Sequence, residues 1–382
     1  CRAPRRGADA RLTTLLGTPV AAVGSATPAE GRHPVVVYSL GDDMHSLENV
    51  VLWEYLASHG YMVAVTPSMG HKEVPMEPIG LTAVEIRARD MEFALGWLRD
   101  VPFADMDRVA AAGFSLGGWA ALAFAMRNAH VDALLALDAS FNLPRRTAAV
   151  RSTAFYDPAN LRVPVLNLRQ DEPEMDLSIL DALVHADRYD TMIGDMERSN
   201  ASHHSFTSVY AFGVEGFSSA GDAEQLATLT YNRDVFELVA TRVRMFLDAY
   251  LKGDELARAG LQQAPRWDGV PQAMVGQRHL AAPVAAKPQD CTARRGQLYR
   301  AGPGIWSRAS PARNAALFFP LAPIDERVAQ VIPRVPHRCH ITSGCNDYQL
   351  AVQREHDPCL PSRPEPTRRR TEELHRAPLR RE

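Results

Sequence analysis

The chain has 382 residues and a formal net charge of −3, with 46% hydrophobic and 23% charged residues. These proportions are ordinary for a globular protein and exclude a wholly disordered or fibrous chain. No run of 18 apolar residues without charge occurs, which excludes a membrane-spanning helix within this sequence. The near-neutral total argues against a dedicated nucleic-acid binder but conceals a split. Residues 1–265 hold 23 basic and 34 acidic side chains, whereas the chain from Arg266 onward holds 19 basic and 11 acidic. Fourteen of the 27 prolines and four of the five cysteines also lie beyond residue 265, so two segments of different character are expected. The first 265 residues contain Cys1 alone and cannot depend on an internal disulfide. With Cys1 in place of Met and no positive, apolar and small leader, residues 1–32 read as an incomplete N-terminal segment. The compartment is left open by the sequence, a secreted or periplasmic one being compatible with the loss of a leader.

In chain order, His33–Gly41 (HPVVVYSLG) is a short β-branched run ending in Gly and reads as a buried strand. Ser46–His59 carries Leu47, Val50, Val51, Tyr55 and Leu56 at helical spacing, with Gly60 as a stop. Tyr61–Thr66 is the next strand. Thr82–Leu98 is a long amphipathic helix with Val84, Ile86, Met91, Phe93, Ala94 and Leu98 as its apolar members. Asp107–Ser115 is a strand running into a turn, and LGGWAALAFAMRNA after it is a small-residue helix able to pack closely on a sheet. Val131–Asp138 and Val163–Gln170 are two more buried strands. Asp234–Leu251 has an apolar stripe closed by Lys252 and Gly253. This alternation predicts an α/β fold, an open and mostly parallel sheet with helices on both faces. It is lost after about residue 265. The expected organisation is an N-terminal segment at 1–32, a catalytic domain at 33–265 and a poorly ordered, Pro/Arg-rich extension at 266–382.

The sharpest motif is Gly113-Phe114-Ser115-Leu116-Gly117, followed by Gly118. It fits G-x-S-x-G, in which a serine on a tight strand-to-helix turn projects its hydroxyl above the sheet edge. Flanking glycines let the neighbouring backbone approach that turn, and the helix N-terminus places free N–H groups near developing negative charge. A phosphate loop would want G-x-G-x-x-G or Gly-Lys-Ser/Thr, and neither is present. Downstream, His203 and His204 supply a general base in the chain order Ser, Asp/Glu, His. Two carboxylates are candidates for the acid, Asp138 at the end of one strand and Asp171 after the next, both at the carboxyl edge where active sites of such folds gather. Periodicity alone does not choose between them.

These motifs, VVVYSLG, LASHGYMVAV, GFSLGGWAA, LALDASFNLP and HHSFTS, make the segment from about His33 to Gly253 resemble the alpha/beta-hydrolase superfamily. Within it the chain looks like the branch of platelet-activating factor acetylhydrolases and dienelactone hydrolases. In the acetylhydrolases the acid lies in a stretch matching Ala136-Leu137-Asp138-Ala139, and the histidine is followed at +3 by Phe, as His203 is by Phe206. The resemblance therefore implies Ser115, Asp138 and His203 as a catalytic triad. Asp171 sits where the dienelactone type and many other members carry the acid and is the alternative. The chain has Leu40-Gly41-Asp42 where the family often has His-Gly. The oxyanion donors implied are the backbone N–H groups of Asp42 and Leu116, with the Asp42 and Asp43 side chains expected to point outward.

The expected activity is hydrolysis of a carboxylic ester through an acyl-enzyme, on a small-molecule or lipid-like substrate, with no cofactor, metal or nucleic acid. The loops Phe141–Arg162 and Glu172–Ser199 are expected pocket walls, with Met175, Leu177, Ile179 and Leu180 as lining or, equally, as packing. The alternatives are a dienelactone- or polyester-type hydrolase using Asp171, and a catalytically inactive hydrolase fold that binds a ligand. Cys339, His340, Cys345, His356 and Cys359 invite a zinc reading, but only His356 and Cys359 have close ligand spacing, and a non-ligating tail is the expectation. Truncation near Pro265 is expected to leave folding and activity intact.

Overall fold

The β-branched run at His33 is a strand buried on both faces, and the sheet extends outward from it on both sides. The computed structural model of the chain describes residues 21–24, 27–42, 44, 47–66, 80–154, 156–172, 174–194, 202–213, 223–282, 316–320 and 339–343. In chain order the elements are β1 (Val23–Gly24), β2 (His33–Ser39), α1 (Val50–Ser58), β3 (Met62–Thr66), α2 (Leu81–Leu98), β4 (Ala104–Phe114), α3 (Leu116–Arg127) and β5 (Ala133–Leu137). Then follow α4 (Pro144–Arg151), β6 (Val165–Gln170), α5 (Ser178–Ala182), β7 (Arg188–Ile193), α6 (Ser208–Gly213), α7 (Ala223–Leu251) and α8 (Glu255–Leu261). The last strands are β8 (Val275–Leu280), β9 (Ala316–Pro320) and β10 (Cys339–Ser343). All belong to one contact unit, Cys1–Gly344; the second unit, Cys345–Glu382, lies outside the described residues and takes Cys345, His356 and Cys359 with it.

The strand order is β1-β10-β9-β3-β2-β4-β5-β6-β7-β8. The six strands from β3 to β7 in that order are mutually parallel, and β8 and β9 run antiparallel to the strands they join at either side. Alternate residues feed two cores. Val35, Val37, Val109, Ala111, Leu134 and Ala136 face α2 and α3, whereas Val36, Tyr38, Ala110, Ala112, Leu135 and Leu137 face α1 and α7. A strand covered on both sides cannot alternate apolar with polar, which is why these segments read as continuous apolar runs. Apart from its final Arg127, α3 is buried on all sides, as its uniform apolar content requires.

The order places a switch point beside β2. The chain steps from β2 out to β3 and then returns to β4 on the other side of β2. In open α/β sheets the crevice beyond the carboxyl ends of strands diverging in this way is the usual ligand site. Here it is bordered by the loop after β2 and the turn after β4.

Several predicted boundaries move. The helix expected at Ser46–His59 starts at Val50, because Glu48 and Asn49 spend their side chains on buried polar contacts in a turn. The helix expected from Asp234 starts at Ala223. In α2 the buried stripe is Val84, Ala88, Met91, Leu95 and Leu98, while Ile86 and Phe93 are exposed; their positions fall off the 3.6-residue face. Ordered structure also continues past residue 265. Val270 and Met274 are buried, and β8 pairs with all six residues of β7. No helix among the described residues is long and apolar enough to cross a membrane.

Glu54 on α1 is almost fully buried and accepts a hydrogen bond from the Ala22 N–H at 2.7 Å. Burial pushes its carboxyl up to about 7, against the opposing pull of the Ala22 and Ala21 amides. The folded state therefore holds this proton more tightly than the unfolded chain. The stability it contributes is complete below the unfolded value of about 4.3 and declines as pH rises through about 7. Glu54→Gln, which stays neutral, is expected to gain melting temperature relative to the wild type as pH rises from about 4 to about 7 and to keep a constant advantage above that. A difference that does not change with pH contradicts this.

Candidate active site

The turn between β4 and α3 is built around Ser115, whose backbone sits at φ 54° and ψ −118°. A non-glycine residue with positive φ is strained by roughly 1–3 kcal/mol and persists only where its surroundings over-determine it. Here they do. Ser115 N–H donates to the Leu137 carbonyl at 3.0 Å, and the Ser115 carbonyl accepts from Gly118 N–H at 3.1 Å and Ser140 N–H at 2.9 Å. Glycine is required on both sides by crowding. A Cβ on Gly113 would meet the Gly117 backbone, and one on Gly117 would meet the Ser39 and Leu40 carbonyls.

Asp138, directly after β5, is the other described non-glycine residue with positive φ, at 41°. Its N–H donates to the Leu168 carbonyl at 2.6 Å, and its Oδ1 accepts the Gln170 N–H at 3.0 Å. The remaining oxygen, Oδ2, lies 2.6 Å from His203 Nδ1. The carboxylate is 1% exposed and the imidazole 36%, so the buried partner is the acid. His203 opens a short 3₁₀ turn, His203–Phe206, capped reciprocally by Ser202 and Ser205. Ser205 Oγ also donates to Asn232 Oδ1 on α7 at 2.6 Å. The His203 ring stacks on Phe114 with centroids 4.5 Å apart and planes at 28°. Because Phe114 immediately precedes Ser115, that stack brings the imidazole to the elbow.

Asp138 and His203 thus meet at the carboxyl edge of β5, and the Phe114 ring on which His203 stacks directly precedes Ser115 at the end of β4. Asp171 is not part of this contact set. Its N–H donates to the Ile193 carbonyl at 3.2 Å, and Gln170 beside it serves Asp138. His204 lies with its ring 5.5 Å from that of His203, and burial pushes it below the usual histidine range, with the neighbouring His203 acting in the same direction.

The loop after β2 carries Asp42, and Leu116 is the first residue of α3, where an N–H has no acceptor within its own helix. The Asp42 carboxylate does not point outward as expected. It pairs with Arg87 on α2 at 3.3 Å, and the nearly buried guanidinium also donates to the Leu40 and Gly41 carbonyls at 3.0 and 3.3 Å. The acidic side chain so close to the site is thereby matched by a cation. Asp43 lies outside the described residues. Ile179 and Leu180 are fully buried in the core with Phe141 and Leu161, so of the two readings offered for them, packing is the one observed. Among the described residues no group of three His, Cys, Asp or Glu side chains could hold a metal ion.

The polar residues that sequence reasoning missed are Tyr38, Glu48, Asn49 and Arg87, all buried beneath the loop after β2. Their only sequence signal was polar side chains interrupting otherwise apolar segments.

No family model matches the chain, and no curated protein matches it. Among solved structures, a ferulic acid esterase from Streptomyces cinnamoneus is similar, with 24% sequence identity and a TM-score of 0.48 over 67% of this chain and 76% of that one. By its own strand order and its helices on both sheet faces, this chain has an α/β fold with a mostly parallel sheet, and a strained serine turn stands at the switch point.

Proposed function

We propose that the protein is a serine hydrolase acting on carboxylic esters, with Ser115 as nucleophile, His203 as general base and acid, and Asp138 as the group that orients His203. The observation that carries this reading is the 2.6 Å contact between Asp138 Oδ2 and His203 Nδ1, with the same imidazole stacked on the residue before the strained Ser115. With Nδ1 bound to the carboxylate, Nε2 is the nitrogen left for the serine proton.

In this mechanism Ser115 Oγ attacks the ester carbonyl carbon while its proton passes to His203 Nε2. The C=O electron pair moves onto oxygen, which the N–H groups of Asp42 and Leu116 receive. The tetrahedral species collapses, the C–O bond to the alcohol breaks, and the imidazolium returns the proton to the leaving oxygen. Water then attacks the acyl-enzyme, losing a proton to His203, and the acid leaves as Ser115 recovers its proton. Asp138 holds the imidazole tautomer and stabilises the imidazolium throughout. Every step uses this chain's own side chains and amides, and small-molecule or lipid-like esters are the proposed substrate class.

The test uses the full chain, a fluorophosphonate probe and nitrophenyl acetate. Expected are a covalent adduct mapped by mass spectrometry to Ser115, steady turnover of the ester, and loss of both in Ser115→Ala. A folded wild-type chain that neither labels nor turns over the ester would make this an inactive, ligand-binding member of the fold.

A further inference from the structure

Beneath the site lies a buried polar pair for which the mechanism has no use. Glu48 and Asn49 sit in the turn before α1, 1% and 0% exposed. Glu48 Oε2 accepts the Gly41 N–H at 2.7 Å, and its Oε1 accepts the Tyr38 hydroxyl at 2.7 Å. Asn49 Nδ2 donates to Tyr38 Oη at 2.8 Å and to the Phe206 carbonyl at 3.3 Å, and its Oδ1 accepts the Ser208 N–H at 2.8 Å. The Glu48 carbonyl completes the set by accepting from Val209 N–H at 3.1 Å and Ser208 Oγ at 3.2 Å. Two adjacent residues therefore grip both the loop after β2 and the turn that carries His203.

The grip has a direction. Arg87 holds the Gly41 carbonyl from the other side. In a planar trans peptide the C=O and the following N–H point opposite ways. Fixing the Gly41 carbonyl on Arg87 therefore turns the Asp42 N–H away from Arg87, and Glu48 prevents the preceding peptide from rotating by holding the Gly41 N–H. Gly41 has no room to adjust, since a Cβ there would lie 2.7 Å from Phe114 Cδ1 and 3.0 Å from Glu48 Oε2. Burying a carboxyl is costly even when it is hydrogen-bonded, and apolar residues of similar volume would fill the space at least as well.

We propose that Glu48 and Asn49 are positioning residues for ester hydrolysis, a two-residue latch that holds the oxyanion loop Leu40–Asp42 and the His203–Phe206 turn in fixed relation. This rests on the hydrolase reading of Ser115, His203 and Asp138. Burial pushes the Glu48 carboxyl up to about 8, and a glutamine, neutral at every pH, keeps a carbonyl for the Gly41 N–H while its NH₂ donates to Tyr38 Oη in place of accepting from it.

The experiment compares full-length wild type with Glu48→Gln, Glu48→Leu and Asn49→Leu, using nitrophenyl acetate kinetics and hydrogen exchange by mass spectrometry. Glu48→Leu is expected to lower kcat about 10²-fold or more, the scale for loss of an oxyanion donor, with KM within about threefold. Glu48→Gln is expected to stay within about fivefold of wild type. Glu48→Leu is also expected to speed exchange in 203–208, and Asn49→Leu in 40–42, each in the segment beyond the mutated residue's own side-chain contacts. If Glu48→Leu does not fold, Asn49→Asp replaces it. That variant keeps the acceptor for Ser208 N–H but loses both donated bonds, and a fall in kcat of about tenfold at unchanged KM is expected. Equal losses in Glu48→Gln and Glu48→Leu, an unchanged kcat in the Leu and Asp variants, or exchange changes confined to the mutated side would overturn the latch. Failure of the hydrolase reading is separable: the wild type would then lack turnover while the exchange pattern could still show the two segments coupled.

Discussion

In Asp138→Asn, turnover of nitrophenyl acetate is expected to fall by roughly 10⁴-fold, the scale seen when the orienting carboxylate of a serine triad is replaced by an amide. The same change at Asp171 is expected to cost less than about tenfold. The physical difference lies in what each carboxylate holds. Asp138 is 1% exposed, with one oxygen on the Gln170 N–H and the other on His203 Nδ1. An amide there can present its NH₂ to Nδ1, and the imidazole then keeps its proton on Nε2, where it cannot accept the serine proton. Asp171 is partly exposed and its backbone is engaged with Ile193, so its loss leaves the His203 tautomer alone. Because an orienting residue acts in the transition state and not in ester binding, the loss should fall on kcat with KM little changed. Steady-state kinetics of the two variants decide the matter. The reverse ranking would assign the acid to Asp171 and bring the protein nearer the dienelactone type.

A chain ended at Pro265 is expected to lose about 10 °C or more in melting temperature or to be recovered insoluble. This is the opposite of what the periodicity of the sequence suggests. Such a truncation removes β8, which pairs antiparallel with β7 along its whole length. It strips Val270 and Met274 from the core, each contributing about 1.5–3 kcal/mol when fully buried. It also removes Gln277 Oε1, which accepts from the buried Arg242 at 3.0 Å and from Thr191 at 2.8 Å, and the Met274 carbonyl that receives the Gly194 N–H at 2.8 Å. Several kcal/mol at roughly 2–4 °C per kcal/mol for a domain of this size gives the stated shift. A chain ended at residue 282 keeps all of these contacts and loses β9 and β10, so comparing the two truncations separates the two edges of the sheet. If the chain ended at Pro265 melts with the full-length protein, β8 is dispensable and the domain closes at that residue.

What the sequence by itself determined is the part of the protein written in short-range physics. The strands at β2, β3, β4, β5 and β6 were legible because burial on both faces demands unbroken β-branched and small apolar runs. The Ser115 turn was legible because a residue at positive φ between close-packed backbones leaves room only for glycine around it. Other features depended on partners distant in the chain. β7, with Arg188, Asp190 and Thr191, has no apolar run, because these side chains are satisfied by Asp181, Arg169 and Gln277 from other elements. β8 is similarly disguised by Gln277, Arg278 and His279. The contact of His203 Nδ1 with Asp138, 65 residues away in sequence, could not be read from spacing, since Asp138 and Asp171 both follow a strand at the same sheet edge. Likewise, Glu48 and Asn49 looked like the polar positions of a helix start. Only tertiary structure shows their side chains turned inward, because the amides they satisfy belong to a loop seven residues before Glu48 and a turn about 160 residues after it.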